Sequence, residues 1–261
     1  MQFSTILFST LAVVASAAPT SRASFRETTD ASDALEKVSD YFNLLANKVQ
    51  FARIMDQAPA CDVSRAQMPI APEALPAPAA GHRVHHVAVG RGTQNYTCDT
   101  SNSTAVPAAQ GAVAVLFNAS CIAALYPDLL QAIPGMAVHF TVDEAQQLGP
   151  AGLQVSGHHY FIDNTTPAFD LSGPDHDFGM YIGKKANGTD APTTAAVGLG
   201  GEKAVPWLRL GSIEGTTQNM QEVYRVNTAG GSAPATCAGQ PESFQIEYAT
   251  VYWFFEGADE E

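Results

Sequence analysis

A mainly β fold, an antiparallel β-sandwich or barrel of about eight strands with an N-terminal amphipathic helix, is predicted by three observations. Short apolar or alternating runs recur across residues 82–256. Turn-forming pairs such as Gly149-Pro150, Gly173-Pro174, Asn187-Gly188 and Gly230-Gly231 separate them. Almost nothing between the runs has helical periodicity, so the crossover helices of a parallel sheet are missing.

The elements follow in chain order. Met1–Ala17 carries an apolar run (Ile6, Leu7, Phe8, Leu11, Val13, Val14) ending in Ala15-Ser16-Ala17, a small-x-small cleavage pattern; it reads as a signal peptide, although no Lys or Arg precedes the run. Residues 18–68 form an N-terminal segment. Within it Leu35, Val38, Phe42, Leu45 and Val49 recur at spacings of three and four, and Asp33 with Glu36 makes a capping box. That pattern predicts a helix over about 33–56. Residues 69–81 are a Pro/Ala-rich connector, extended and outside any core.

The β domain is expected over 82–256. Valines among the residues from Gly81 to Gly90 predict its first strand, and Val113, Val115 and Phe117 alternate with alanines in the next. Pro127–Ile133 reads as a short helix with proline in its first turn. Val138, Phe140 and Val142 alternate and predict another strand. Further strands are expected within 153–162, 178–182, 205–213, 220–226 and 244–255, and residues 257–261 form an acidic tail.

Charge narrows the function classes. Acidic residues outnumber basic ones 26 to 13, giving a net charge of −13 that repels nucleic-acid phosphates and anionic lipid. No second apolar stretch reaches the roughly 18 residues of a membrane span. Acceptor triplets at Asn95, Asn102, Asn118, Asn164 and Asn187 fit N-glycosylation of an exported chain. Asn95 lies in a strand-like stretch, Asn118 at a strand end, and Asn164 and Asn187 in turns. Cys61, Cys98, Cys121 and Cys237 are an even set without a CxxC, expected as two structural disulfides in any of three pairings. The location is therefore read as secreted and extracellular.

Histidines and acids are the candidate chemistry. On a strand His82 and His86 share a face but stand about 13 Å apart at ~3.3 Å per residue, while adjacent His85 and His86 face opposite ways, so no local spacing makes a zinc site. A site assembled across strands would use His85 or His86 with His159 and an acid from Asp175-His176-Asp177. The same loop with His158 or His159 is the candidate catalytic set, and Asp170 with Asp175 or Asp177 the candidate glycosidase pair, which needs a separation of roughly 5–9 Å. His159 falls on the apolar phase of its strand and so requires a hydrogen-bond partner. Ordinary structural readings compete: bonded core histidines, and a turn whose carboxylates cap backbone amides. No Gly-x-Ser-x-Gly elbow is present, and Gly90-Arg-Gly92-Thr-Gln-Asn95 leads into Tyr96-Thr97-Cys98 instead of a helix, unlike a dinucleotide fingerprint. No cofactor is therefore expected. Arg225, Asn227 and Trp207 near a strand end are the candidate ligand contacts.

Several stretches together resemble a secreted fungal family of unknown function with shorter bacterial relatives. They are Gly90-x-Gly92-x-Gln94-x-Tyr96-x-Cys98, Gly157 to Phe161, Pro167-x-Phe169-Asp170-Leu171, Ala204 to Leu208, Tyr224 to Gly231, Cys237 and Tyr252 to Phe255. The resemblance covers about residues 68–256. Fungal members often carry the label malate dehydrogenase, which the missing nucleotide signature and the export signal disfavour here. The family supplies no established catalytic residues. Its shorter members keep cysteines matching Cys98 and Cys237, which implies a Cys98–Cys237 bond and leaves Cys61 for Cys121.

Three functions are weighed. The first is a non-catalytic extracellular binding or surface-associated module, with a glycan or cell-wall component as partner. The second is an extracellular hydrolase or metal-dependent enzyme, and the third the malate dehydrogenase of the family label. Neither nucleic acid nor a membrane span is expected, and the sequence sets no oligomeric state.

Overall fold

The computed structural model describes residues 61–70, 75–140, 148 and 153–258, with Ser39 and Asn43 as single earlier positions. Met1–Ala17, nearly all of the expected helix 33–56 and the last three residues of the tail lie outside them. The chain groups into two units, Met1–Val38 and Ser39–Glu261, and the fold below belongs to the second.

Eight strands close into one barrel: β1 (Arg83–Thr97), β2 (Ala108–Asn118), β3 (Val155–Phe161), β4 (Pro167–Gly173), β5 (His176–Thr189), β6 (Trp207–Ser212), β7 (Met220–Gly230) and β8 (Ser243–Glu256). Each pairs antiparallel with the next, and β8 returns to β1 over its whole length. Closure leaves no strand edge open to another chain. The helices α1 (Ser120–Leu125) and α2 (Pro127–Ala137) lie in the β2–β3 connection.

Residues paired across strands share a face, so the register separates interior from exterior. Tyr252 and Phe254 of β8, Phe169 of β4, Tyr181 of β5, Leu210 of β6 and Val223 of β7 form the interior core, all nearly inaccessible. Phe169 meets Tyr252 and Phe254 edge-on, at 5.0 and 5.4 Å between ring centres. Room for these rings comes from β1. A Cβ on Gly90 would lie 2.6 Å from the Tyr252 ring, and one on Gly92 1.9 Å from the Val113 carbonyl oxygen. The Gly90-x-Gly92 pattern is a packing device.

The outer face of β1, β7 and β8 is also buried, because α2 covers it with Leu130, Ile133 and Ala137. Here the expectation of a strand at 137–142 is overturned over 137–140; Thr141 and Val142 lie outside the described residues. Ala137 ends α2, Val138 is its helical C-cap, and Phe140 follows in a turn. The cause is Arg91, buried on the outer face of β1. Its Nε donates to the carbonyls of Ala137 (3.0 Å) and Phe140 (3.1 Å), and Nη2 to that of Val138 (3.3 Å). A guanidinium placed on the carbonyls at and just beyond a helix end outweighs the β preference of the alternating residues.

Two further differences concern β4 and β5. β4 was not anticipated, since it shows only two inward apolar residues and opens on proline, a position a strand tolerates. Asn187 and Gly188, expected in a turn, lie inside β5 opposite Arg209 and Leu208. The disulfides are Cys61–Cys121 and Cys98–Cys237.

Candidate functional site

The barrel has two ends of different chemistry. At the end where β1 begins, His86 points inward and is 1% exposed. Its Nδ1 lies 3.1 Å from Ser120 Oγ and its Nε2 3.0 Å from Ser156 Oγ, while the ring stacks on Phe178 at 4.5 Å. Burial, helped by the neighbouring His85 and His176, pushes its pKa down to about 3. The ring is therefore neutral and enclosed. His85 is held by Glu256 Oε2 (2.9 Å) and the Phe178 carbonyl (2.9 Å), and His176 lies over Phe178 at 5.1 Å.

At the other end His159 points inward from β3. Its Nδ1 lies 2.9 Å from the Ala168 carbonyl, and the ring stacks on Phe169 at 4.1 Å. Burial lowers its pKa to about 4, against the opposing effect of the Ala168 carbonyl. The Tyr248 and Tyr252 hydroxyls bond each other at 2.9 Å, and burial raises both phenol pKa values. Arg225 is also inward, opposite Leu208 and Tyr252. Its Nε and Nη2 donate to the Pro206 carbonyl at 3.2 and 2.8 Å.

On the outer wall, Trp207 and Asn227 share a cavity of about 500 Å³ with Gln131, Thr194 and Thr228. Asn227 adopts a left-handed conformation (φ 50°) in the bulge between Val226 and Ala229. Trp207 is buried, and its Nε1 has no hydrogen-bond partner among the described residues. Two of the three ligand-contact candidates are thus brought together, while Arg225 faces the other side of the wall.

The hydrolase and metal candidates are dispersed. His158 is exposed on the outer face, opposite Val115 and Asp170, whereas His159 is inside. Asp175, His176 and Asp177 lie at the β4–β5 hairpin. Along β4, Gly173 (opposite His176) is four residues from Phe169 (opposite His159), about 13 Å at ~3.3 Å per residue. Asp177 Oδ1 accepts from the Gly179 amide (2.9 Å) and Ser172 Oγ (3.2 Å). His85 faces Glu256, and Phe169 and Phe254 stand between His86 and His159. Among the described residues no group of three His, Cys, Asp or Glu is arranged to hold a metal ion.

Sequence reasoning passed over Glu222, a buried carboxylate bonded from several elements. It accepts from the Ala79 amide (3.1 Å), Arg209 Nε (3.2 Å) and the Tyr224 hydroxyl (2.9 Å), with His82 Nδ1 at 3.1 Å. Burial raises its pKa, but these donors and the Arg209 charge outweigh that, so it sits below the ordinary value. Nothing local marked it, because its partners come from three separate segments. Gln94, Tyr248 and Tyr252 were passed over too; the only local sign was a polar group in the inward phase of an apolar strand.

No curated protein and no solved structure matches the chain. The family described as "Protein of unknown function (DUF3455)" matches residues 78–256, which span the whole barrel and well over half of the 261 residues. The chain belongs to this family.

Proposed function

We propose that this protein is a secreted, N-glycosylated, non-catalytic binding module whose outer-wall cavity holds a neutral glycan. The observation that carries the reading is the lining of that cavity. Gln131, Thr194, Asn227 and Thr228 offer donors and acceptors, the buried Trp207 lines the wall beside them, and no lining residue is charged. Uncharged groups of both hydrogen-bonding senses beside an aromatic edge suit sugar hydroxyls. A non-catalytic role is supported by the histidines, of which the two inward ones are enclosed and held neutral.

Secretion is supported by the apolar leader, by two disulfides of the kind that persist in oxidising compartments, and by the absence, among the described residues, of a helix long and apolar enough to cross a membrane. Asn102 and Asn164 are exposed and fit glycan attachment; Asn95, Asn118 and Asn187 are half-buried.

The test is titration of purified protein with β-glucan and chitin oligosaccharides, followed by calorimetry. Saturable binding by one of them is expected, weakened about tenfold in Asn227→Ala and again in Gln131→Ala, the loss of one hydrogen bond each. Binding of neither class, or binding indifferent to both substitutions, would sink the reading.

A further inference from the structure

The outer-wall cavity is one of three that adjoin the β5–β6 loop. The second, of about 640 Å³, is lined by that loop and the start of the β7–β8 connection, with Thr193, Lys203, Pro206 and Ser232 among its residues. The third, of about 660 Å³, reaches the first residues of β8 and includes Glu202, Gln240, Phe244 and Gln245. Neighbouring cavities share walls. Pro192 and Ala195 line both the first and the second, and Lys203 and Ser232 both the second and the third. Each volume falls within the roughly 300–1,000 Å³ of sites that hold whole small molecules, so each has room for at least one sugar ring. Asn227 in the first cavity and Ser232 in the other two are separated by five steps of the chain, about 17 Å when extended at ~3.3 Å per residue. One ligand of several rings can reach all three.

The divides between the cavities carry short side chains. The first is a turn closed by the Ala195 amide on the Pro192 carbonyl (2.8 Å), with Thr194 and Ala196 facing one cavity and Thr193 and Val197 the other. The second is the pair Lys203 and Ser232, joined by the Ser232 amide to the Lys203 carbonyl (3.0 Å). Only Lys203 is long, and its exposed, flexible stem can lie along a ligand. The loop is fixed in place by the Gly230 amide on the Ala196 carbonyl (3.1 Å), the Val205 amide on the Gly230 carbonyl (3.0 Å) and Thr228 Oγ1 on the Val205 carbonyl (2.6 Å). Glycine is required at 230 (φ 60°), because a Cβ there would lie 2.7 Å from the Cα of Gly198 in the loop. A surface held this way loses little conformational entropy on binding.

The two end cavities repeat one combination of side chains. Trp207 stands with the amides of Asn227 and Gln131 in the first, and Phe244 with those of Gln240 and Gln245 in the third. Phe244 is half-buried and its ring stacks on Tyr96 (5.5 Å between centres, 23° between planes), whose hydroxyl donates to the Gly231 carbonyl (2.8 Å). A pyranose offers an apolar C–H face to such a ring and a rim of hydroxyls to the amides. Between the ends, Thr193 and Ser232 supply hydroxyl groups to the second cavity. Charge is sparse. Asp190, Glu202 and Lys203 are the charged residues of the outer two cavities, and Glu202 already accepts from the Gly200 amide (2.8 Å). Two acids to one base suit a neutral polymer and disfavour an anionic one.

We propose that the three cavities are successive subsites for one linear, neutral polysaccharide, laid along the β5–β6 loop with one ring beside Trp207 and Asn227 and another on Phe244. This rests on the glycan reading above and extends it from a single ring site to a polymer.

Calorimetry on the full disulfide-bonded protein, with β-glucan and chitin oligosaccharides of two and of six sugar units, tests the extension. In the series that binds, the six-unit member should bind about tenfold more tightly or better than the two-unit member. A longer oligosaccharide also gains affinity from its extra registers, so the decisive readout is the ratio of the two affinities in variants. Phe244→Ala and Gln245→Ala should each lower that ratio several-fold; Gln245 is exposed, so its replacement spares the fold. Asn227→Ala should weaken both lengths alike, and Tyr160→Ser, on the exposed outer face of β3, should change neither. Phe244→Leu, which keeps an apolar side chain but loses the flat ring, stands in if Phe244→Ala does not fold. Equal affinity for the two lengths, or a ratio untouched in the Phe244 and Gln245 variants, overturns the polymer proposal and leaves the glycan reading standing. Binding of neither length overturns both.

Discussion

His86 and His159 are each buried with a neutral ring, and that ties the stability of the barrel to pH. In the unfolded chain both titrate near 6.5; in the fold burial lowers them to about 3 and about 4. The unfolded state therefore binds more protons across that interval, and stability is fully present above about pH 6.5 and declines as pH falls toward 4 and 3. His159→Phe keeps the stack on Phe169 and removes the titration. Thermal melts at pH 7.5, 5.5 and 4.5 should show a shallower acid loss in the variant, by on the order of 2–3 kcal/mol at the acid end. Parallel slopes in the two proteins would show that His159 carries none of the acid sensitivity. Half of this pair was legible in the sequence: His159 sat on an apolar phase and needed a partner, and the Ala168 carbonyl is nine residues away. The partners of His86 are 34 and 70 residues distant, and no local pattern reveals them.

Arg91 does for an element what those histidines do for a residue, since it fixes where α2 stops. Arg91→Met would remove three hydrogen bonds to carbonyls at and just beyond the end of α2 and the contact with Glu247, at a cost of about 2–3 kcal/mol. Amide hydrogen exchange should quicken at residues 137–140 and stay slow in β4 and β5; unchanged exchange there would mean that α2 ends without Arg91. This element also explains how an eight-strand expectation matched an eight-strand barrel through two offsetting errors. The alternation at Val138 and Phe140 was real, but Arg91 turned it into a helix end. β4 was hidden by its proline start and short apolar pattern. The period-2 run of β2 was legible because one buried face is enough to write it, and β8 because burial on both faces writes a near-continuous apolar run. The candidate site was legible only as residue types. Trp207 and Asn227 were picked out near a strand end, but the wall that sends them one way and Arg225 the other is a matter of register and a bulge, which no window along the chain encodes.

For the whole molecule, closure depends on the last strand meeting the first. β8 supplies Tyr248, Tyr252, Trp253 and Phe254 to the interior and the wall, and until it pairs, β1 and β7 are open edges carrying apolar residues. Contacts so distant in sequence form slowly and leave those edges exposed meanwhile. The Cys98–Cys237 bond acts on this step, because it joins the loop after β1 to the loop before β8 across 139 residues. Cys61–Cys121 spans 60 residues and fastens the N-terminal segment to α1, away from the closing seam. Loop-closure entropy alone makes the longer bridge only slightly more stabilising, by about 0.7 kcal/mol in that treatment. Its position should matter more. Cys98→Ser with Cys237→Ser should lower the refolding yield several-fold through aggregation, while Cys61→Ser with Cys121→Ser should refold nearly as the parent does. Light scattering during refolding from denaturant, at matched concentration, separates the two. Equal aggregation in both variants would place the vulnerable step elsewhere than the β8–β1 seam.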